Sequence, residues 1–145
     1  QKEMAQMRNN ITKEMAHREM DARRELLEKR RQIMEQVFSD AAAKLQEFTK
    51  GSEYKGWMSS HCRELASVFD ETETLLYVRP DDVKMEKALA DAFGKPCRVL
   101  ADEEIHLGGI RAHNPAMGLV ADDTLDTLLE NQQEWFEEAS GLRVQ

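Results

Sequence analysis

Apolar residues recur at intervals of eleven along the first fifty positions of the chain, in two rows that together step by seven and four. An eleven-residue repeat corresponds to about 3.67 residues per helical turn and favours a straight or right-handed coiled coil. The pattern fails at Lys44, but the adjacent Leu45 is available to cover the seam. Because a thin apolar stripe on a long helix needs a partner, we predict a partner-facing apolar seam. It comprises Met4, Ile11, Met15, Ala22, Leu26, Ile33, Val37 and Phe48.

The segment that carries the seam has the composition of a single long helix. Residues 1–50 contain neither Gly nor Pro and are dense in Ala, Glu, Lys, Arg, Met, Gln and Leu, all good helix formers. Lys50 followed by Gly51 is a typical C-terminal signal. A continuous helix of this size would be roughly 70 Å long.

The rest of the chain alternates between helical and strand patterns. Residues 52–69 have apolar side chains at helical spacing, and residues 74–79 form a strand pattern that stops at Pro80. Asp81 and Asp82 suit the start of a further helix. Gly94 is a natural residue to end that helix.

The C-terminal third predicts three short strands and a last helix. The strand patterns cover 97–101, 107–113 and 119–121, and residues 114–118 between the last two have turn chemistry. Asp123 is predicted to cap the last helix, with Asp126 at the third position, and Gly141 to end it. We expect an α+β fold: a long N-terminal coiled-coil helix (1–50) followed by a small C-terminal α/β domain (51–145) with a mixed sheet.

Composition and charge support this division. Charged residues make up 33% of the 145 residues and aromatic residues 6%, which fits a long solvated helix. Residues 1–50 carry a net charge of +2, and residues 51–145 a net charge of −10. An acidic domain argues against nucleic acid as the main ligand. No apolar run spans about 18 residues, so we expect no direct membrane insertion. The start at Gln1 indicates a fragment or a processed chain.

No motif for catalysis or for a cofactor stands out. Gly108 and Gly109 precede a strand rather than a helix and lack the P-loop pattern, so a β-bulge or a close backbone approach is the favoured interpretation. The histidines and the two cysteines, Cys62 and Cys97, do not have zinc-site spacing. A basic patch at Arg23-Arg24 and Arg30-Arg31 is interpreted as a solvated coiled-coil flank; an acidic partner or a membrane headgroup surface is the alternative.

Two stretches of the second half resemble a known signature. Residues 105–110 (Ile-His-Leu-Gly-Gly-Ile), followed by a turn-rich loop and by Asp122-Asp123-Thr124-Leu125, are similar to the C-terminal motif of the E subunit of V-type and archaeal-type rotary ATPases. In that family a Gly-Gly strand precedes a hairpin and a D-N-T-L-x-x-R-L helix start. The strand at 75–78, the acidic helix after it and Gly94-Lys95-Pro96 follow the family's order, and the charged run 23–30 resembles the family's stalk helix. Asp123 stands where the family usually has Asn, and Leu128 where it usually has Arg.

The resemblance implies a structural role and no catalysis. The E subunit pairs with the G subunit (H in archaeal naming) in a right-handed coiled coil, and its globular end binds a nucleotide-binding subunit of the head. It implies a peripheral position on the cytoplasmic side of a membrane-bound, ion-transporting complex. It also implies that the membrane-proximal part of the stalk helix is missing from this chain. The head-docking motif would comprise Gly108, Gly109, Asp122, Asp123, Thr124, Leu125 and Leu128.

Two other functions fit the sequence as alternatives. The stator protein of a flagellar or type III export ATPase has a similar plan of a helix followed by a domain. A small metal- or nucleotide-dependent enzyme is the alternative from another class, and it predicts stoichiometric ligand in the purified protein.

Overall fold

The computed structural model describes residues 2–140 and confirms the predicted fold class. A long helix leads into a small domain with one four-stranded sheet. The elements in chain order are α1 (Lys2–Lys50), α2 (Glu53–Ala66), β1 (Thr74–Val78), a 3₁₀ helix (Pro80–Met85), α3 (Glu86–Phe93), β2 (Cys97–Ala101), β3 (Gly109–Asn114), β4 (Leu119–Thr124) and α4 (Leu125–Ser140).

The sheet is mixed, with strand order β2-β1-β3-β4. β1 and β2 are parallel and are connected through the 3₁₀ helix and α3, whereas β3 is antiparallel to both β1 and β4. Alternate residues of β1 are buried, as expected for a strand with one face on the core. Their core partners come from α2, α3, the neighbouring strands and the start of α4, and include Met58, Cys62, Leu89, Ile110 and Leu125.

The long helix ends where the sequence predicts. Lys50 is its last residue, and the backbone N–H of Gly51 donates to the carbonyl of Phe48 over 3.0 Å. Gly94 ends α3 in the left-handed conformation at φ 68°, which also confirms its prediction. Within the sheet, β3 and β4 form the hairpin predicted around residues 114–118.

The predicted helix start at Asp81 and Asp82 is wrong. Residues 80–85 form a 3₁₀ helix, and α3 begins only at Glu86. Asp81 and Asp82 lie in the first turn of this 3₁₀ helix, and the buried carboxylate of Asp82 accepts hydrogen bonds from Tyr54 and Arg79.

The predicted cap of the last helix is also wrong. Asp123 lies within β4, opposite Ile110. The hydroxyl of Thr124 instead accepts a hydrogen bond from the backbone N–H of Thr127 over 3.2 Å, so Thr124 caps α4. The predicted end at Gly141 lies outside the described residues.

The strand predicted over residues 107–113 begins two residues late, at Gly109. The backbone N–H groups of Leu107 and Gly108 donate to the carboxylate of Asp126 and not to a neighbouring strand. The side chain of Asp126 thus connects the segment before β3 to the first turn of α4.

Candidate functional site

Most of the predicted seam lies exposed on α1. The exposed fractions of Met4, Met15 and Ile33 are 63%, 63% and 65%. Ala22 is also exposed, as are the other large members upstream of Phe48, namely Ile11, Leu26 and Val37. From Met4 to Val37 the seam extends about 50 Å along the helix. Such an apolar row left in water is typical of a helix that binds a partner.

Phe48 differs from the other seam residues, because it packs inside the chain. Its ring meets Tyr54 edge-on at a centroid distance of 5.8 Å and Trp57 at 6.1 Å. Ala42 and Leu45 also pack against the core. The last two turns of α1 are thus held by the domain, and the available part of the seam ends at Val37.

A groove between α1 and α4 continues the seam towards the domain. Phe38 of α1 and Phe136 of α4 pack edge to face at 5.7 Å. Beside them lies an apolar groove of about 230 Å³. Its walls include the seam residues Ile33 and Val37, together with Arg30 at one edge. The seam is therefore wider at this end, where two helices of the chain contribute to it.

A buried polar network joins α1 to the domain. The Tyr54 hydroxyl donates to a carboxylate oxygen of Asp82 over 2.6 Å, and the other carboxylate oxygen binds Arg79 at 2.8 Å. Arg79 also donates to the hydroxyl of Thr49, in the last turn of α1, over 3.2 Å. Burial, reinforced by the bond to Asp82, raises the pKa of the Tyr54 phenol above its ordinary value. The phenol thus stays a hydrogen-bond donor at neutral pH.

The Gly108-Gly109 pair belongs to this junction. The backbone N–H of Gly109 donates to the Tyr54 hydroxyl over 2.9 Å. A Cβ on Gly108 would lie 2.5 Å from that hydroxyl oxygen, and a Cβ on Gly109 would lie 2.6 Å from the Cα of Thr124. Their φ angles are 132° and 89°, which side chains rarely adopt. The close backbone approach predicted from the sequence is confirmed.

The acidic end of the motif has two internal roles. Asp122 accepts hydrogen bonds from the backbone and side chain of Thr124 and from the hydroxyl of Thr127. Burial opposes its charge, but these hydrogen bonds outweigh burial and lower the pKa of Asp122. Asp123 instead binds the ring of His61, with 2.5 Å between Oδ2 and Nδ1.

The predicted head-docking residues therefore differ in accessibility. Gly108, Gly109, Thr124 and Leu125 are buried and Asp123 is half-buried, whereas Asp122 and Leu128 are exposed. Their role in docking stays a prediction. Sequence reasoning missed the junction residues Tyr54, Arg79 and Asp82, and the groove residue Phe136. The charged residues around Pro80 did not indicate in the sequence that Arg79 and Asp82 form an ion pair.

The part of the chain that the structure describes shows neither a cluster of metal ligands nor a membrane-spanning helix. Residues 2–140 contain no group of three or more His, Cys, Asp or Glu side chains that could hold a metal ion. Within the same residues, every helix is too short or too polar to cross a membrane. Cys62 and Cys97 are free thiols.

The chain matches a known protein family. A family model described as ATP synthase (E/31 kDa) subunit matches residues 1–136. This match covers α1, the sheet and most of α4. Comparison with curated proteins gives no match.

Proposed function

Since the chain belongs to the ATP synthase (E/31 kDa) subunit family, we propose that it is a non-catalytic peripheral-stalk subunit, or stator, of a V/A-type rotary ATPase. In this role α1 forms a coiled coil with the G subunit, called H in archaeal naming. The α/β domain binds a nucleotide-binding subunit of the head. The pair resists torque while ATP turnover is coupled to ion transport.

The exposed seam on α1 is the observation that carries this proposal. Its large side chains from Met4 to Val37 are at least half exposed, so covering each of them contributes roughly 1 kcal/mol. The 7–4 spacing favours a right-handed coiled coil with a partner helix. Isolated helices with thin seams are marginal in water, and a partner removes that weakness.

The junction supports a mechanical role for the chain. A stator transmits torque only if its rod and its head-binding domain move as one body. The network from Thr49 through Arg79 and Asp82 to Tyr54 links the end of α1 to the sheet through buried and partly buried polar contacts. The contact between Phe38 and α4 adds a second attachment, upstream of the domain's core contacts. Two separated attachments resist bending better than one.

The head-facing surface is assigned to the start of α4. Asp122 and Leu128 are the accessible members of the family motif. Leu128 replaces the Arg usual in the family, so this chain would contact its head subunit by apolar packing at that point.

Titration of the chain with the G-subunit homologue of the same organism tests the pairing. We expect a 1:1 complex, and we expect the double variant Met15→Asp/Leu26→Asp to weaken it at least about a hundredfold, because both charges would enter a buried seam. The matched control is Gln6→Asp/His17→Asp, which also adds two negative charges eleven residues apart. Each control position lies two residues after a seam residue, Met4 or Met15, and about 200° around the helix, so the complex should keep its affinity.

Equal binding by the seam variant and the wild type would contradict the proposal. The circular dichroism of all three proteins must be compared first, because loss of helix in one variant alone would mimic a loss of binding.

A further inference from the structure

The two flanks of the seam differ in charge. Arg8 and Arg30 each lie four residues after a seam residue, about 40° around the helix. Arg23 lies three residues before Leu26, about 60° to the same side. The acidic residue on this flank between Arg8 and Arg30 is Glu19. We call Arg8, Arg23 and Arg30 the basic flank.

The opposite flank contains an ion pair. Arg18 donates to Glu14 over 3.0 Å, and Glu25 precedes Lys29 by one turn. In contrast, none of the three basic-flank guanidinium groups forms an ion pair within 4 Å among residues 2–140. Glu19 precedes Arg23 by one turn, but neither Arg8 nor Arg30 has an acidic residue three or four positions away. One side of the seam thus presents more cationic than acidic groups.

The same side of α1 already has an acidic neighbour where the domain begins. Two residues on this side lie next to α4: Phe38 contacts Phe136, and Met34 lines the groove between the two helices. Every charged residue of α4 is acidic: Asp126, Glu130, Glu134, Glu137 and Glu138. Arg30 lines the groove with Phe136 and Ser140 at the end of this helix. Upstream of Arg30 the flank is open.

We infer that the partner helix carries a row of Asp or Glu residues beside its apolar stripe, on the side that faces Arg8, Arg23 and Arg30. This inference rests on the proposed function and specifies its partner. The acidic row of the partner would lie along the same side of α1 that α4 packs against near the domain. It fixes the rotation and the register of the partner, because slipping or turning the helix separates the charges.

The chain contains its own control for this inference. Arg24 and Arg31 follow Arg23 and Arg30 directly, but point about 140–160° away from the seam. The structure places these two arginines along a separate depression with Leu27 and Glu28. Arg31 also pairs with Glu28 at 3.6 Å. The variants Arg23→Glu/Arg30→Glu and Arg24→Glu/Arg31→Glu therefore differ in position and not in composition.

Binding of both variants to the G-subunit homologue of the same organism is measured at low and at high salt. We expect the first variant to weaken the complex about tenfold at low salt, with a smaller difference at high salt. The second variant should stay within about twofold of the wild type. Equal losses in the two variants, or no loss in either, would overturn the inference.

The seam variant Met15→Asp/Leu26→Asp separates the two levels of the account. If the seam variant loses binding while the two arginine variants bind with equal affinity, the acidic row is refuted and the stator proposal stands. If the seam variant binds as well as the wild type, the stator proposal is refuted. Sedimentation with vesicles of phosphatidylcholine and phosphatidylglycerol is measured in parallel. If vesicle binding is lost in both arginine variants while the complex is unaffected, the arginines serve a membrane surface and the inference is wrong.

Discussion

The hydroxyl of Tyr54 donates a hydrogen bond to the carboxylate of Asp82 over 2.6 Å, and both side chains are buried. The same oxygen accepts the backbone N–H of Gly109. One phenol thus satisfies two groups from distant parts of the chain, at the place where the long helix meets the sheet.

Replacing Tyr54 by Phe removes that hydroxyl and leaves the Gly109 N–H and one Asp82 oxygen without this partner. We expect a loss of about 2 kcal/mol in the free energy of unfolding, the usual range for buried groups left unsatisfied. Urea denaturation measures it. The control is Tyr77→Phe, since the Tyr77 hydroxyl makes no hydrogen bond with the residues that the structure describes. Equal stabilities of the two variants would contradict the role of the phenol.

A side chain at Gly109 should be far more damaging than one at another left-handed glycine. Gly109→Ala would bring a Cβ within 2.6 Å of the Cα of Thr124, whereas a Cβ on Gly118 (φ 62°) meets nothing within 4 Å. We expect about 1 kcal/mol of destabilisation for Gly118→Ala from φ alone. For Gly109→Ala we expect at least about 3 kcal/mol. Thermal unfolding of both variants tests the difference, and similar melting temperatures would refute it.

Asp122 should contribute to the pH dependence of stability. Its folded-state pKa lies below the ordinary value of 3.8, so its contribution is fully present above that value. The contribution is lost as the pH falls through the folded pKa. Because Asp122 is exposed, solvent screening limits the effect to under about 1 kcal/mol. We expect Asp122→Asn to lose less stability than the wild type on acidification below about pH 4. Parallel acid titration curves of the two proteins would contradict this.

The two thiols should differ in reactivity. Burial, with a smaller effect of Cys97, raises the pKa of the Cys62 thiol to about 12, and Cys62 donates to the carbonyl of Leu89 over 3.2 Å. Burial also raises the pKa of Cys97, which is only partly buried. With a thiol reagent near pH 8 we expect Cys97 to react first, and Cys62 only on the timescale of unfolding. The variant Cys97→Ser isolates the Cys62 reaction, and rapid labelling of that variant would contradict the burial of Cys62.

The local pattern predicted the long helix, its end at Gly51 and the approximate place of every strand, because periodicity and helix-ending residues act within a few positions. It could not predict the junction. Tyr54 and Asp82 lie 28 residues apart, so no local pattern connects them. The sequence also does not show that Asp82, rather than Asp81, is the buried carboxylate. The groove was missed for the same reason, because Phe38 and Phe136 are far apart in the sequence. The family motif could be recognised from the sequence. Only the three-dimensional contacts show that its buried glycines, Gly108 and Gly109, pack closely against Tyr54 and Thr124.

Amide hydrogen exchange of residues 2–37, with and without the stoichiometric G-subunit homologue, tests the central claim most directly. The stator account predicts fast exchange in the isolated chain and strong protection in the complex, spread along the whole seam from Met4 to Val37. The amides of the sheet should change little and serve as the internal reference. Equal exchange of α1 in the two samples would contradict the claim that this helix is the binding surface of the protein.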